Sequence, residues 1–262
     1  MVGKSTNDGG IVETVKTVFW ALIIAGVFRT LFFQPFFIPS ESMKDTLLIG
    51  DFLFVNKMAY GYSRFSCPFA ICPLSGRILA RDPERGDVVV FRHPTSGQDY
   101  IKRLIGLPGE RIQMKEGVLF INDVAAPQEP AGQFTEVFDV QGGEGNLPRC
   151  ENKVVGIGAD CVRSRYVETL PNGVKHAVLN SDVNGPGDNT DVFVVPVGNY
   201  FFMGDNRDNS LDSRFSQNAG GVGYVPAENL IGRADRVIFS SAGSSLFFVW
   251  TWRGDRFFKA IE

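Results

Sequence analysis

Histidine is almost missing from this chain of 262 residues, which carries only His93 and His176. A histidine-based serine triad would have to use one of those two, and no Gly-x-Ser-x-Gly elbow surrounds Ser42, the serine singled out below. Cysteine is scarce as well. The four fall into two close pairs, Cys67 with Cys72 and Cys150 with Cys161, and neither pair has Cys-x-x-Cys spacing. With so little histidine beside them, a zinc or dithiol redox centre is a poor reading, and neither metal nor cofactor is expected. The pairs fit two short-loop disulfides in an oxidising compartment, although unlinked thiols would read the same. An excess of positive charge is absent too. The net charge is -3, so the concentrated basic face that nucleic acid calls for is not expected. There is no internal repeat, and only one long apolar run.

That run is the first thing present in quantity. From Thr17 to Ile38 the only charge is Arg29, and about 20 apolar residues suffice to cross a bilayer. A cleaved leader is the rival reading, but Arg29, Thr30, Leu31 and Phe32 follow the most apolar stretch with no pair of small residues at A-x-A spacing. The expected organisation is therefore a short cytoplasmic N-terminus (1–16) and a membrane anchor (17–38). A catalytic β domain (39–124 and 190–262) would follow, with an inserted non-catalytic subdomain at 125–189. Lys4 and Lys16 lie on one side of the anchor, while Arg29 near its far end, Lys44 and Lys57 lie toward the other, so charge leaves its orientation open. Hydrophobic residues make up 44% of the chain, with 23 Phe, which places it among folded proteins with ample apolar surface.

Beyond the anchor, short apolar runs alternate with Gly, Pro, Asn and Asp, the pattern of a mainly β fold. Candidate strands are 51–56, 87–91, 100–104, 111–114, 118–121, 192–195, 200–203 and 229–239, with Lys115-Glu116-Gly117 as a hairpin turn. Between Ala125 and Asn189 the pattern loosens, and Cys67 to Arg81 matches no assignable function.

Three segments carry chemistry. Pro39-Ser40-Glu41-Ser42-Met43 follows the anchor directly, and Pro39 prevents the helix from continuing through it. Asp99-Tyr100-Ile101-Lys102-Arg103-Leu104 sets a lysine in an apolar strand, where alternation puts Tyr100, Lys102 and Leu104 on one face. At its ordinary pKa only roughly one lysine in 2,500 is neutral at pH 7, and only the neutral amine accepts a proton. Burial, helped by the Arg103 charge, would lower that pKa and let the lysine activate a serine without histidine. The third segment, Met203 to Arg214, packs Asp205, Arg207, Asp208, Ser210, Asp212 and Arg214 into one loop. It fails as a calcium loop because Arg207, Ser210 and Ser216 stand at the third, sixth and twelfth positions from Asp205. It could instead brace itself with charge-assisted hydrogen bonds. A penicillin-binding type site fails too, since Asp45 stands where Ser-x-x-Lys needs its lysine.

Together these segments resemble the sequence boxes of bacterial signal peptidase I, the family that removes signal peptides from exported proteins. The resemblance implies an antiparallel β catalytic core with Ser42 as nucleophile and Lys102 as general base. Ser40 would join the Ser42 backbone N–H in an oxyanion hole. Ser210 would hold the lysine amine, with Asp205, Asp212 and Arg214 supporting that loop. Phe36, Ile38, Met43, Leu47, Tyr100 and Ile101 would line pockets for an extended peptide with small residues at A-x-A spacing. The implied partners are signal peptides of preproteins, membrane lipid and the export machinery, and a monomer is expected. The catalytic domain would face the periplasm or cell exterior from the cytoplasmic membrane, which favours both disulfides. A membrane-tethered module that holds signal peptides without cutting them is the alternative from another class.

Overall fold

The computed structural model describes residues 8–67, 70, 72–141, 145–154, 156–182, 184–243 and 246–261. Among the described residues the one α-helix, α1 (Asp8–Leu31), lies earlier than the 17–38 expected for the anchor, and residues 33–37 are extended. Two features set the boundary. Pro35 cannot donate to a helical hydrogen bond, and it is accepted in β1 (Phe33–Phe37) because that strand lies at a sheet edge. The helix end is held by the Tyr62 hydroxyl, which donates to the Leu31 carbonyl at 2.7 Å. Residues Gly10–Leu31 are apolar apart from Glu13, Lys16 and Arg29 and a few small or hydroxyl residues, and their most apolar window is covered by no other part of the protein. At about 1.5 Å per residue they reach roughly 33 Å, the thickness of a bilayer core.

The remaining strands follow in chain order: β2 (Asp51–Asn56), β3 (Val88–Arg92), β4 (Asp99–Gly106), β5 (Arg111–Lys115), β6 (Val118–Ile121) and β7 (Val124–Ala125). After them come β8 (Gln128–Val137), β9 (Asp160–Thr169), β10 (Lys175–Leu179), β11 (Phe193–Val194), β12 (Asn199–Met203), β13 (Val225–Pro226) and β14 (Leu230–Ser240). They form a seven-stranded sheet in the order β1-β2-β14-β3-β4-β12-β13, a four-stranded sheet β11-β5-β6-β7 and a three-stranded sheet β10-β9-β8. The paired strands all run antiparallel. The fold is thus mainly β with one apolar N-terminal helix. The predicted hairpin turn joins β5 to β6, with Glu116 and Gly117 both at positive φ.

The main sheet is buried on both faces. On β3, Val88 and Val90 join Ile38, Leu47, Ile101 and Val237 on one side, while Val89 and Phe91 meet Leu104, Phe202 and Leu230 on the other. Alternation along a single strand therefore serves two cores. A third cluster, around Ile105, Ile112, Leu119 and Phe201, welds the four-stranded sheet to the end of β4.

The greatest departure from expectation lies in residues 125–189, where β8, β9 and β10 form a regular sheet. Their signal is masked in sequence because β8 is largely exposed and β9 buries charges among its apolar residues, Arg163 and Glu168 included. A register shift between Pro130 and Gln133 further breaks the period of β8. The sheet also reaches into the core, since Leu170 belongs to the third cluster. Both cysteine pairs are bonded, Cys67 to Cys72 and Cys150 to Cys161. In the unassigned stretch after Cys67, Arg77 donates to the carbonyls of Tyr60, Gly61, Ala227 and Leu230, which ties that loop to the sheet.

Candidate active site

Ser42 stands in the connection between β1 and β2. That connection is closed at its base by Ile38 N–H donating to Asp51 and Gly50 N–H donating to Ile38, at 2.9 and 3.0 Å. Within it the chain folds into a tight turn, Lys44 N–H to the Glu41 carbonyl at 3.0 Å and Leu47 N–H to Met43 at 2.7 Å. Lys102 comes from β4, an interior strand between β3 and β12. This position rules out an edge-strand lysine placed to deter aggregation. Its amine lies 2.5 Å from the Ser42 hydroxyl and 3.1 Å from the Ile101 carbonyl.

Lys102 is only 4% exposed, and burial lowers its pKa to about 8 against the pull of Asp212 and Asp205, which would raise it. The neutral fraction at pH 7 then becomes roughly one in ten. Arg103 does not supply this shift. It turns to the other face of β4 and forms a two-pronged pair with Asp205, at 2.8 Å on each side. A neutral amine in contact with a buried hydroxyl is equipped to take the hydroxyl proton.

The polar loop braces itself from within. Asp212 accepts from Gly204 N–H at 3.0 Å and from two nitrogens of the Arg214 guanidinium at 2.9 Å, and Arg214 donates onward to the Arg207 carbonyl at 2.6 Å. Burial alone would raise the Asp212 carboxyl, but the Arg214 charge and these hydrogen bonds hold it below the usual range. Arg103 and Thr46 outweigh burial in the same way at Asp205. Asn206 N–H donates to the Ser42 carbonyl at 3.1 Å, so the loop grips the serine directly.

Ser40, Ser42, Lys102 and Ser210 share one cleft of about 590 Å³. The Ser40 and Ser42 hydroxyls are 3.5 Å apart. The Ser210 hydroxyl is buried and turned toward the Asp212 carboxylate, whose charged form it favours, and no hydrogen bond joins it to the Lys102 amine among the described residues. Of the expected pocket residues, Phe36, Tyr100 and Ile101 line the cleft, whereas Ile38, Met43 and Leu47 lie behind its wall in the core. Leu47 is fully enclosed. On one edge of β4, pairing with β12 begins only at Arg103, opposite Met203. Residues 99–101 therefore leave that edge open beside Phe36, Pro39 and Ser40.

The sequence matches the family described as signal peptidase, peptidase S26, over residues 11–239. The chain belongs to the signal peptidase family. Among its relatives, the signal peptidase I of Rickettsia akari is 40% identical over 245 residues, covering 87% of this chain and 81% of its own length. That of Rickettsia typhi is 40% identical over 243 residues, covering 87% and 82%. A solved signal peptidase I from Enterococcus faecalis aligns with 58% of this chain and 97% of its own at 24% identity, with a TM-score of 0.30 too low to inform the site. As a member of the signal peptidase family the chain is a hydrolase of peptide bonds, of the serine endopeptidase class.

Several residues at the site were not legible beforehand. Arg149, beside the Cys150–Cys161 bond, reaches the cleft and donates to the Asp208 carbonyl at 2.9 Å. Glu168 on β9 receives Arg207 at 2.6 and 3.0 Å, and His176 on β10 stands 3.4 Å from Glu168 and 3.9 Å from Asp205. Charged residues scattered along strands in a loosened stretch give no local sign of which one is such a partner.

Proposed function

We propose that the protein removes signal peptides from exported preproteins, with Ser42 as nucleophile and Lys102 as general base. The observation that carries this reading is the 2.5 Å contact between a buried amine of lowered pKa and the Ser42 hydroxyl. In the first half-reaction Ser42 Oγ attacks the scissile carbonyl carbon while Lys102 Nζ takes the hydroxyl proton. The oxyanion that forms is stabilised by the Ser42 backbone N–H, which no protein acceptor takes among the described residues, and by the Ser40 hydroxyl. Lys102 then returns the proton to the departing amine of the mature chain, leaving the signal peptide as an ester on Ser42. A water molecule, deprotonated by the same lysine, cleaves that ester. Ser210, with Asp205, Asp212 and Arg214 behind it, keeps the lysine's surroundings fixed.

The open edge of β4 at residues 99–101 suits an extended peptide added as a further strand, with Phe36, Tyr100 and Ile101 forming shallow pockets for small side chains at A-x-A spacing. Helix α1 anchors the chain in the cytoplasmic membrane in a single pass. The catalytic domain lies on the periplasmic or extracytoplasmic side, where precursors emerge from the export machinery. Two disulfides are consistent with that oxidising side. Incubating the purified full chain in detergent with an exported precursor, and weighing the product, tests the reading. A mature N-terminus following an A-x-A site is expected from the wild type and none from S42A. Equal cleavage by both would end it.

A further inference from the structure

Ser42 is flanked by a cluster of buried charges that the proposed chemistry does not use. Glu41, immediately before it, and Lys44, two residues after, are both buried, and their side chains pair at 2.9 Å. The Lys44 amine also donates to both carboxylate oxygens of Glu136, at 2.9 and 2.7 Å, and to Gln141 at 2.8 Å. Arg163, wholly enclosed on β9, closes the ring by pairing with Glu136 and lying 3.8 Å from Glu41. Two acids and two bases thus balance. Their contacts span from the nucleophile turn across to β8 and β9, with sequence separations of 92 between Lys44 and Glu136 and 97 between Lys44 and Gln141. Glu41 is held from the other side by Asn209, at 2.7 Å, and its carbonyl by Asn206 at 3.2 Å.

We propose that Glu136 is a positioning residue for the nucleophile: through Lys44 and Arg163 it holds the Ser42 turn at the distance from Lys102 that proton transfer requires. The inserted sheet is then a working part of the site and not an appendage. The physical reason is that a buried ammonium holds on to its anionic partners: Glu41 lies on the turn and moves with it, whereas Glu136 is reached only while the turn stays against β8. Only Met43 separates Lys44 from Ser42, so a slip of the turn is transmitted to the hydroxyl. A displacement of 1 Å at a reacting atom costs about 100-fold in rate. Nothing on the substrate-facing wall of the cleft is altered by Glu136, which does not line it.

This inference rests on the Ser42 and Lys102 reading, and the experiment separates the two. E136Q keeps the shape of the side chain and removes its charge. With the full chain in detergent and a peptide carrying an Ala-x-Ala site, kcat is expected to fall at least about tenfold, with KM changed less than about twofold. The acid limb of the pH profile should stay in place, because burial, Asp212 and Asp205 set the Lys102 pKa and Glu136 does not. Hydrogen exchange at the Lys44 and Leu47 amides, which close the turn, should rise whether or not peptide is cut. E136D, which restores the charge, should recover part of kcat. If E136Q folds too poorly, the double variant K44M/E136L replaces the ion pair by apolar groups. It should regain the wild-type melting temperature while remaining slow. Unchanged exchange and kcat in E136Q, or a double variant as fast as wild type, overturns the proposal. Raised exchange in E136Q together with a wild type that cuts no peptide leaves the turn's dependence on Glu136 standing and overturns the dyad reading instead.

Discussion

Replacing Lys102 by methionine should make the protein inactive and more stable. Both consequences come from the same buried amine. In the folded protein its pKa is about 8, against an ordinary value of 10.5, with burial as the cause. Below pH 8 the group is protonated in the folded and unfolded chains alike, so the folded state bears the whole cost of burying the ammonium. As pH rises through 8 the folded state releases its proton while the unfolded chain keeps it until about 10.5, so stability rises across that window. A difference of about 2.5 pKa values corresponds to on the order of 3 kcal/mol, since each is worth about 1.4. Methionine has similar reach and no charge, so K102M should recover most of that below pH 8, an increase in melting temperature of roughly 6–12 °C for a domain of this size. Near-UV circular dichroism of both proteins in the same detergent, scanned at pH 6.5 and pH 9.5, measures it. The gain should be largest at pH 6.5 and shrink by pH 9.5. A variant no more stable than wild type at pH 6.5, or a gain indifferent to pH, would refute the claim that burial lowers the pKa of the lysine.

Wild-type cleavage should rise with pH through about 8, because only the neutral amine takes the Ser42 proton; a rate already level at pH 6 would contradict it. G204A should lower kcat by about 100-fold or more, since an added Cβ would run into the Ser210 side chain and stand 2.5 Å from the Ser42 carbonyl oxygen, and steady-state kinetics on folded protein checks this. E168Q leaves Arg207 buried without its anionic partner and should cost roughly 3–5 kcal/mol of stability, read by chemical denaturation. Burial opposes ionisation of Glu168, but Arg207 and His176 hold its carboxyl far below the ordinary range, so this contribution is present above about pH 4.3 and is lost only as pH falls toward the folded-state value. The E168Q deficit should therefore be the same at pH 7 and pH 5.

The sequence made some elements of this protein legible and hid others, according to how local their causes are. The 51–56 and 118–121 strands were readable to the residue, because each is a short apolar run between turn residues. The apolar helix was readable too, while its end at Leu31 was not: Pro35 could be seen to stop a helix, but not to sit on a sheet edge against Phe54. Strands β8 to β10 escaped because their inward positions carry Arg163, Glu168 and His176, which resemble loop residues until their partners are known. Phe36 was recognisable as a wall of the cleft, whereas Met43 and Leu47 proved to be core.

What the sequence by itself determined is what neighbouring residues decide: an apolar stretch long enough for a bilayer, alternation that makes strands, and the boxes around Ser42, Lys102 and Ser210 that mark a signal peptidase. Only the tertiary structure decided whether Ser42 and Lys102, 60 residues apart, come within 2.5 Å, and whether the lysine amine is buried enough for its pKa to fall to about 8. It also decided that Glu136 and Glu168, from strands outside the recognised boxes, neutralise Lys44 and Arg207. The reason is that desolvation and ion pairing depend on every group within a few ångströms, and chain order does not encode which groups those are.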